Sequence, residues 1–431
     1  MALGQLFQEQ EQIPFGATGL RIIRLLGAGG QGEVYAADVG GEVLALKWYY
    51  PASATKEQRA ALQTLVRKGS PDERFLWPMA VVEAKGKDGF GYLMPLRPAR
   101  FKGLVELMKR KVDPTFRTLA TAGFHLADAF LRLHALGLCY RDISFGNVFF
   151  DPENGDVLIC DNDNVAVDDG KLRGVQGTMG FMAPEIMSTG VAPSTQTDLW
   201  SLAVLLFHMF CFGHPLEGER EFVIECLDLE ARRTLYGTDG LFIFHPDDVS
   251  NRPNPEAHPN PLAFWPLYPE FFRERFIQTF VKGLTSPYAR TRESEWKLAL
   301  IRLRDSIVYG PSGAENFFDP AEPSRDDWAS GQPIQWPPRL HIGKIDIMLN
   351  SDCELFAHHV DPAKLYEFGD PVGIVAQHPT MKDLWGLKNT SSTSWTASLN
   401  GTSREVEPGR SVTMVGGTEI NFGSQIGVIL A

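Results

Sequence analysis

The rhythm of apolar and polar positions changes several times along the chain. Between residues 20 and 50 short apolar runs alternate with glycine-rich punctuation, Thr55 to Lys68 is mostly helix-forming, and Phe75 to Leu96 returns to strand-like runs. This predicts a small strand-rich lobe carrying one helix. From Phe116 to Leu138 the residues Leu119, Ala122, Phe124, Leu126, Ala129, Phe130 and Leu133 recur at helical spacing, and helices dominate thereafter. The most apolar window, Trp200 to Gly213, contains Ser201 and His208 and falls short of the roughly 20 residues that span a bilayer, so it is read as a buried helix and no membrane span is expected. Asp247 to Pro261 is crowded with Pro, Asn and Asp and reads as a surface loop. Between Tyr309 and Pro338 periodicity fades into Pro, Gly, Ser and Asp, as in a linker. The remainder is rich in Thr, Ser, Gly, Val and Ile, with turn signals at Asn400-Gly401, Pro408-Gly409 and Gly416-Gly417, and predicts an all-β sandwich.

Composition narrows the field of functions. Hydrophobic residues make up 44% and charged residues 22% of 431 positions, the balance of a chain able to bury large cores. A net charge of -12 argues against nucleic acid as the main partner, because phosphate neutralisation needs a clustered basic surface. Five scattered cysteines (Cys139, Cys160, Cys211, Cys226 and Cys353) show no zinc spacing, and a reducing cytoplasm suits them. The first residues lack the basic start and apolar stretch of a signal peptide and read as a frayed tail.

Candidate chemistry begins with Gly27-Ala28-Gly29-Gly30-Gln31-Gly32-Glu33-Val34, a glycine-rich loop between two apolar runs. Missing side chains there let backbone amides approach a triphosphate. A dinucleotide fold would need a helix directly after the loop, and a second strand follows instead. Leu44-Ala45-Leu46-Lys47 then places an ammonium on the next strand. The strongest signal is Tyr140-Arg141-Asp142-Ile143-Ser144-Phe145-Gly146-Asn147, followed after a short strand by Leu158-Ile159-Cys160-Asp161.

Together these motifs resemble the eukaryotic-like (Hanks-type) protein kinase superfamily. The resemblance implies an α+β bilobal protein kinase fold that transfers the ATP γ-phosphate to Ser/Thr hydroxyls of protein substrates, autophosphorylation included, with ATP and Mg²⁺ or Mn²⁺ as cofactors. Asp142 becomes the catalytic base, with Lys47 and Arg141 beside it in the catalytic set, and Asn147 and Asp161 hold the metal. Gly27, Ala28, Gly29, Gly30, Gln31, Gly32, Val34, Ala45 and Lys47 line the nucleotide site. Met94 stands at the back of the adenine pocket, and Pro95 and Arg97 offer hinge contacts through a carbonyl and an amide. Met182-Ala183-Pro184-Glu185 resembles the end of an activation segment, Asp198 a brace for the catalytic loop, and Arg290 the partner of Glu185. This segment separates the chain from small-molecule kinases such as aminoglycoside phosphotransferases.

Several positions depart from the pattern. Tyr140 replaces the usual His, Asp161-Asn162-Asp163 stands where Asp-Phe-Gly is expected, and Ser144 replaces a Lys. On the helix Thr55 to Lys68 only Glu57 is acidic, so the partner of Lys47 stays open, with Gln58 or Gln63 as stand-ins. That gap supports the alternative of a pseudokinase scaffold. Arg141 commonly needs an anion on the activation segment, and Asp168 and Asp169 are the candidates, since Asn164 to Gly177 holds no Ser, Thr or Tyr. Cys160-Asp161-Asn162-Asp163-Asn164-Val165 and His214-Pro215-Leu216-Glu217-Gly218 resemble a bacterial subgroup that occurs with a PP2C-type phosphatase and a von Willebrand A domain protein.

Leu384-Trp385-Gly386-Leu387-Lys388-Asn389-Thr390, Trp395, Leu399-Asn400-Gly401 and Ile420-Asn421-Phe422-Gly423 resemble the second half of a forkhead-associated (FHA) sandwich. Its phosphothreonine-binding motifs are not evident, and the histidine of Ala376-Gln377-His378-Pro379 reads as a buried or turn residue. The expected layout is an N-terminal tail over 1–18, a small lobe over 19–97, a large lobe over 98–308, a linker over 309–338 and an FHA-like sandwich over 339–431.

Overall fold

The computed structural model describes residues 5–17, 19–172, 174–322, 325–381 and 384–431. The chain divides into two compact units, residues 1–265 with 274–297 and residues 266–273 with 298–431.

The first unit opens with a six-stranded antiparallel sheet made of β1 (Gln12–Ile13), β2 (Leu20–Ala28), β3 (Gly32–Val39), β4 (Glu42–Tyr49), β5 (Ala80–Val82) and β6 (Gly91–Pro95), in the order β1-β2-β3-β4-β6-β5. β2, β3 and β4 run as a meander because glycine-containing turns join apolar runs whose side chains need a common core. Leu20, Ile22, Tyr35, Leu46 and Trp48 meet in it. The helix α1 (Lys56–Lys68) starts where the Thr55 hydroxyl accepts the Gln58 amide, and it buries Leu62 and Leu65.

From Gln5 onward the described N-terminal residues pack against the sheet. Phe7 is buried edge-on against Tyr35 and Trp48, its amide donates to the Tyr35 hydroxyl at 3.1 Å, and Gln12 and Ile13 extend the sheet by pairing with Arg21 and Leu20. An aromatic ring with a buried seat outweighs the polar Gln/Glu run that suggested a tail.

Helices take over with α2 (Leu104–Met108) and α3 (Phe116–Ala135), interrupted by the short strands β7 (Lys102–Gly103), β8 (Leu138–Cys139), β9 (Val148–Phe150), β10 (Val157–Ile159) and β11 (Ala166–Val167). After α4 (Pro184–Thr189) comes α5 (Thr195–Cys211), capped by Ser194 and buried from Thr197 to its end. That explains its apolar composition: it is the central post of the large lobe. Among the described residues no helix is long and apolar enough to cross a membrane.

The second unit is mainly β. β12 (Ile307–Tyr309) pairs with β13 (Glu315–Phe317), which lies inside the stretch expected as a linker. Phe317, Phe318, Asp319 and Asp327 of that stretch are buried, and Asp327 accepts bonds from Ser312, Asn316 and Ser330, so polar residues that suggested solvent instead knit a loop together. Beyond it, β14 (Arg339–Ile342), β15 (Ile345–Met348), β16 (Glu354–Leu355), β17 (Gly373–Gln377), β18 (Trp385–Asn389), β19 (Trp395–Leu399), β20 (Thr402–Val406), β21 (Ser411–Thr413), β22 (Glu419–Asn421) and β23 (Ile426–Leu430) form two sheets, ordered β15-β14-β23-β22-β19-β20 and β16-β17-β18-β21. Leu340, Ile429, Ile420 and Trp395 of one face Leu355, Val375, Leu387 and Val412 of the other across a shared core.

Candidate active site

The glycine-rich loop turns between β2 and β3, closed by the Gly29 amide donating to the Gly32 carbonyl at 2.9 Å. Gly32 is required by the sheet itself, since a Cβ there would stand 2.0 Å from the Trp48 carbonyl oxygen. Gly27, Gly29 and Gly30 are different. A Cβ on any of them meets nothing within 4 Å, and none has a positive φ, so the chain's own packing does not call for glycine. The loop is left open enough for a ligand to approach its backbone.

Lys47 is held on the central strand β4, where Val34 pairs with it from β3 and Tyr92 from β6. Ala45 pairs with Met94 and Leu44 with Pro95, so the back of the cleft runs directly into the segment that leaves the sheet. There the Arg97 guanidinium lies 4.1 Å from the centroid of the Phe149 ring and donates to the Phe101 carbonyl at 2.6 Å, which stiffens the crossing between lobes.

Across the cleft, β8 feeds a loop held from below by Asp198. Its carboxylate accepts the Tyr140 amide at 2.5 Å and the Arg141 amide at 2.9 Å. Arg141 sits at φ 75°, a conformation stored for a non-glycine residue only because both sides are tied. Its Nε donates to the Asn164 carbonyl at 2.8 Å. Tyr140 is fully buried beside Phe130 and its hydroxyl donates to the Cys160 carbonyl, joining the loop to the strand that precedes Asp161.

The two oxygens of Asp142 are both engaged: Oδ1 accepts from the Thr178 hydroxyl at 2.6 Å and Oδ2 from the Asn147 amide at 3.0 Å. Asn147 also donates to the Asp142 carbonyl at 2.8 Å, so its amide nitrogen serves both the side chain and the backbone of Asp142. Thr178 follows Gly177, whose φ of 124° makes the turn, and a Cβ there would meet Met182 at 2.7 Å.

Lys47, Asp161 and Asp163 come together from opposite lobes. Lys47 Nζ lies 3.4 Å from Asp161 Oδ1 and 3.2 and 3.0 Å from the two oxygens of Asp163. Burial alone would lower the ammonium, and Asp163 and then Asp161 outweigh it and raise it. Burial lifts the Asp161 carboxyl, with Lys47 opposing and Asp163 adding to the rise. Asp161 itself is bent into the left-handed region at φ 49°.

The model of the protein kinase domain family matches residues 20–250. The chain belongs to that family. Protein kinase MCK1 of Saccharomyces cerevisiae is 29% identical to this chain over 177 residues, covering 39% of this chain and 43% of the relative. Serine/threonine-protein kinase sck2 of Schizosaccharomyces pombe is 27% identical over 233 residues, 51% of this chain and 35% of the relative. The DNA damage-responsive serine/threonine-protein kinase RqkA of Deinococcus radiodurans is 29% identical over 210 residues, 46% and 31% respectively. The chain spans less than half the length of each of these relatives.

Of the pairings expected from the motifs, one is present among the described residues and another is not. Arg290 meets Glu185 through two bonds of 2.8 and 2.7 Å, and it also donates to the Gln196 and Gly283 carbonyls. Asp168 is engaged elsewhere than at Arg141: one of its oxygens accepts the amide and hydroxyl of Thr195, both at 3.0 Å, at the start of α5. Asp169 accepts the Lys171 amide at 3.1 Å.

Two contacts lie outside what the motifs indicate. One is that of Asp163 with Lys47, whose signal is a carboxylate where the family carries a glycine. The other is that of Thr178, in the segment expected to shape the substrate-binding floor, with Asp142 across 36 residues of sequence. Glu57, the acidic residue of α1, is exposed, while Gln58 one position on donates to the Tyr49 hydroxyl at 3.1 Å and to the Asp163 carbonyl at 3.3 Å.

The residues fit the groups a kinase domain uses. The loop glycines leave room for phosphates, and Asn147 Oδ1 and Asp161 are hard oxygen donors. Among the described residues no cluster of three His, Cys, Asp or Glu could hold a metal ion by itself. Such a donor set suits a divalent ion that arrives with phosphate oxygens already attached.

Proposed function

We propose that this kinase is active and transfers the ATP γ-phosphoryl group to Ser or Thr hydroxyls of proteins, itself included. The observation that carries the proposal is Asp142 with both oxygens aimed by Thr178 and Asn147, across the cleft from the Lys47 ammonium. In this reading Asp142 accepts the proton of the acceptor hydroxyl as that oxygen bonds to phosphorus. Lys47 grips the α- and β-phosphate oxygens, the loop from Gly27 to Gly32 covers them, and the bond from phosphorus to the ADP oxygen breaks. Asn147 and Asp161 would hold Mg²⁺, which neutralises charge on the phosphates when bound. Adenine would lie between Val34, Ala45 and Met94 and bond to the Pro95 carbonyl and Arg97 amide. Arg141 ties the catalytic loop to the segment through Asn164, so its role is to hold that loop in shape.

The acceptor class is supported by the serine/threonine-protein kinases among the relatives, sck2 and RqkA. The Thr178 hydroxyl donates to Asp142 at 2.6 Å, beside the carboxylate that would meet the acceptor hydroxyl. The second unit is read as an FHA-like interaction module, supported by its two antiparallel sheets and shared core. Its His378 ring accepts the amides of Thr380 and Met381 at 3.3 and 3.2 Å, which makes it a turn residue and leaves phosphopeptide capture without a counterpart there. A PP2C-type phosphatase and a von Willebrand A domain protein remain the partners suggested by the motif resemblance.

The test is incubation with Mg²⁺ and γ-labelled ATP beside a Lys47→Ala control, followed by phosphoamino-acid analysis. Label on Ser or Thr that is absent from the control supports the proposal. Absence of label on the protein and on added generic substrates sinks it in favour of a scaffold that binds nucleotide without transfer.

A further inference from the structure

A lysine that grips phosphates needs a carboxylate to aim it, and α1 turns no carboxylate toward Lys47. We infer that Asp163 is the positioning residue for Lys47, so that the ammonium is aimed from the first turn of the activation segment and not from the helix of the small lobe. The inference rests on the phosphoryl-transfer reading above and deepens it.

Four observations converge. Asp163 has a fully buried side chain and both of its oxygens reach Lys47 Nζ, at 3.2 and 3.0 Å, closer than Asp161 at 3.4 Å. The same carboxylate accepts the Tyr49 hydroxyl and the Tyr92 hydroxyl, the latter at 3.1 Å, so donors from β4 and β6 orient it. The position on α1 that faces this cluster is Gln58, an amide that bonds Tyr49 and the Asp163 carbonyl. It serves the Asp163 side of the pair and carries no charge. Glu57 points to solvent.

The arrangement divides the labour of the three acidic or amide groups. Asp161, partly exposed, is left for the metal, while Asp163 is withdrawn from solvent with all its acceptor directions occupied. Removing a buried carboxylate so fully engaged would leave a buried ammonium without its nearest partner. It also joins the lobes: β4 and β6 belong to the small lobe, Asp163 to the strand-to-segment turn of the large one. Swinging α1 outward would therefore leave the ion pair standing, and displacing residues 161–165 would break it.

The experiment is a cycle of Asp163→Asn, Lys47→Met and the double variant in the full chain, reading MgATP affinity by calorimetry together with kcat and KM for ATP. Asp163→Asn should lower kcat/KM for ATP by about 10- to 100-fold, the usual effect of a misplaced catalytic group, and weaken MgATP binding. In the Lys47→Met background the same change should leave MgATP affinity within about twofold, because its effect passes through the lysine. Adding Gln58→Glu to Asp163→Asn returns a carboxylate to the cluster from α1 and should recover most of kcat/KM, whereas Glu57→Ala should match the parent. If Asp163→Asn does not fold, Tyr49→Phe with Tyr92→Phe removes the orienting hydroxyls and keeps the rings, with about a tenfold loss expected. Parental kinetics in Asp163→Asn or in the double phenylalanine variant, or an equal loss of affinity with and without Lys47, would overturn the inference. A parent that binds MgATP and transfers no phosphate would refute the proposed activity alone, since the binding cycle still reads the coupling.

Discussion

At Asp142 two hydrogen bonds leave a carboxylate with little freedom of rotation, and that is a condition for general-base work at a fixed angle. Asp142→Asn keeps the shape and removes the proposed proton acceptor, so turnover should fall by about 10²–10⁴, or roughly 3–5 kcal/mol of barrier, in a steady-state assay with saturating ATP. Thr178→Val removes one of the two anchors without changing volume. Its expected cost is about tenfold in kcat, near 1.4 kcal/mol, with KM for ATP unchanged. The two residues differ in how readable they are from sequence. Asp142 lies in a contiguous motif whose order of residues is itself the message, whereas Asp163 and Thr178 act on partners that folding brings from 116 and 36 residues away. Asp163 was half visible, as a departure from a pattern; its partners Tyr49 and Tyr92 look in sequence like ordinary strand aromatics. Burial and Asp163 keep both phenols protonated, which is what makes them donors.

Elements show the same division. The small sheet, α1, α3 and α5 follow from local periodicity and were expected where they lie, because each buries one face or all faces of a run long enough to read. The segment around Phe7 and the stretch 309–338 were read as tail and linker, since a two-residue strand or a loop held by Asp327 leaves no period to detect. Phe7→Ala should destabilise the first unit by about 3–5 kcal/mol, the cost of emptying an aromatic seat, seen as a lower melting temperature with unchanged KM for ATP. α4 is fastened to the large lobe by Glu185 and Arg290, the latter fully buried. Glu185→Ala strands that guanidinium and should cost about 3–5 kcal/mol, measured by denaturant unfolding.

For the molecule as a whole, one buried histidine ties distant parts of the large lobe together. His134 on α3 donates to Asp198 at 3.1 Å and to Glu293 in the last helix of that lobe. Burial opposes its charge, yet Asp198 and Glu293 prevail and raise it to about 9. The folded value lies above the ordinary 6.5, so this stabilisation is complete below about pH 6.5 and fades as pH climbs through 9. The melting temperature should therefore fall across that window, and His134→Gln should flatten the decline.

The partners of Glu185 and His134 have a consequence for how the chain is made. Arg290 and Glu293 lie well beyond residue 250, where the family match ends. A ribosome that has released only that much has delivered every residue proposed for the chemistry and neither of the two clasps. Until the later helix emerges, the nascent large lobe carries an unpaired acid on α4 and a half-held imidazole under the catalytic loop, a state for chaperones to shelter. A premature stop in that interval would yield a polypeptide with a complete set of motifs and no closed fold to act from.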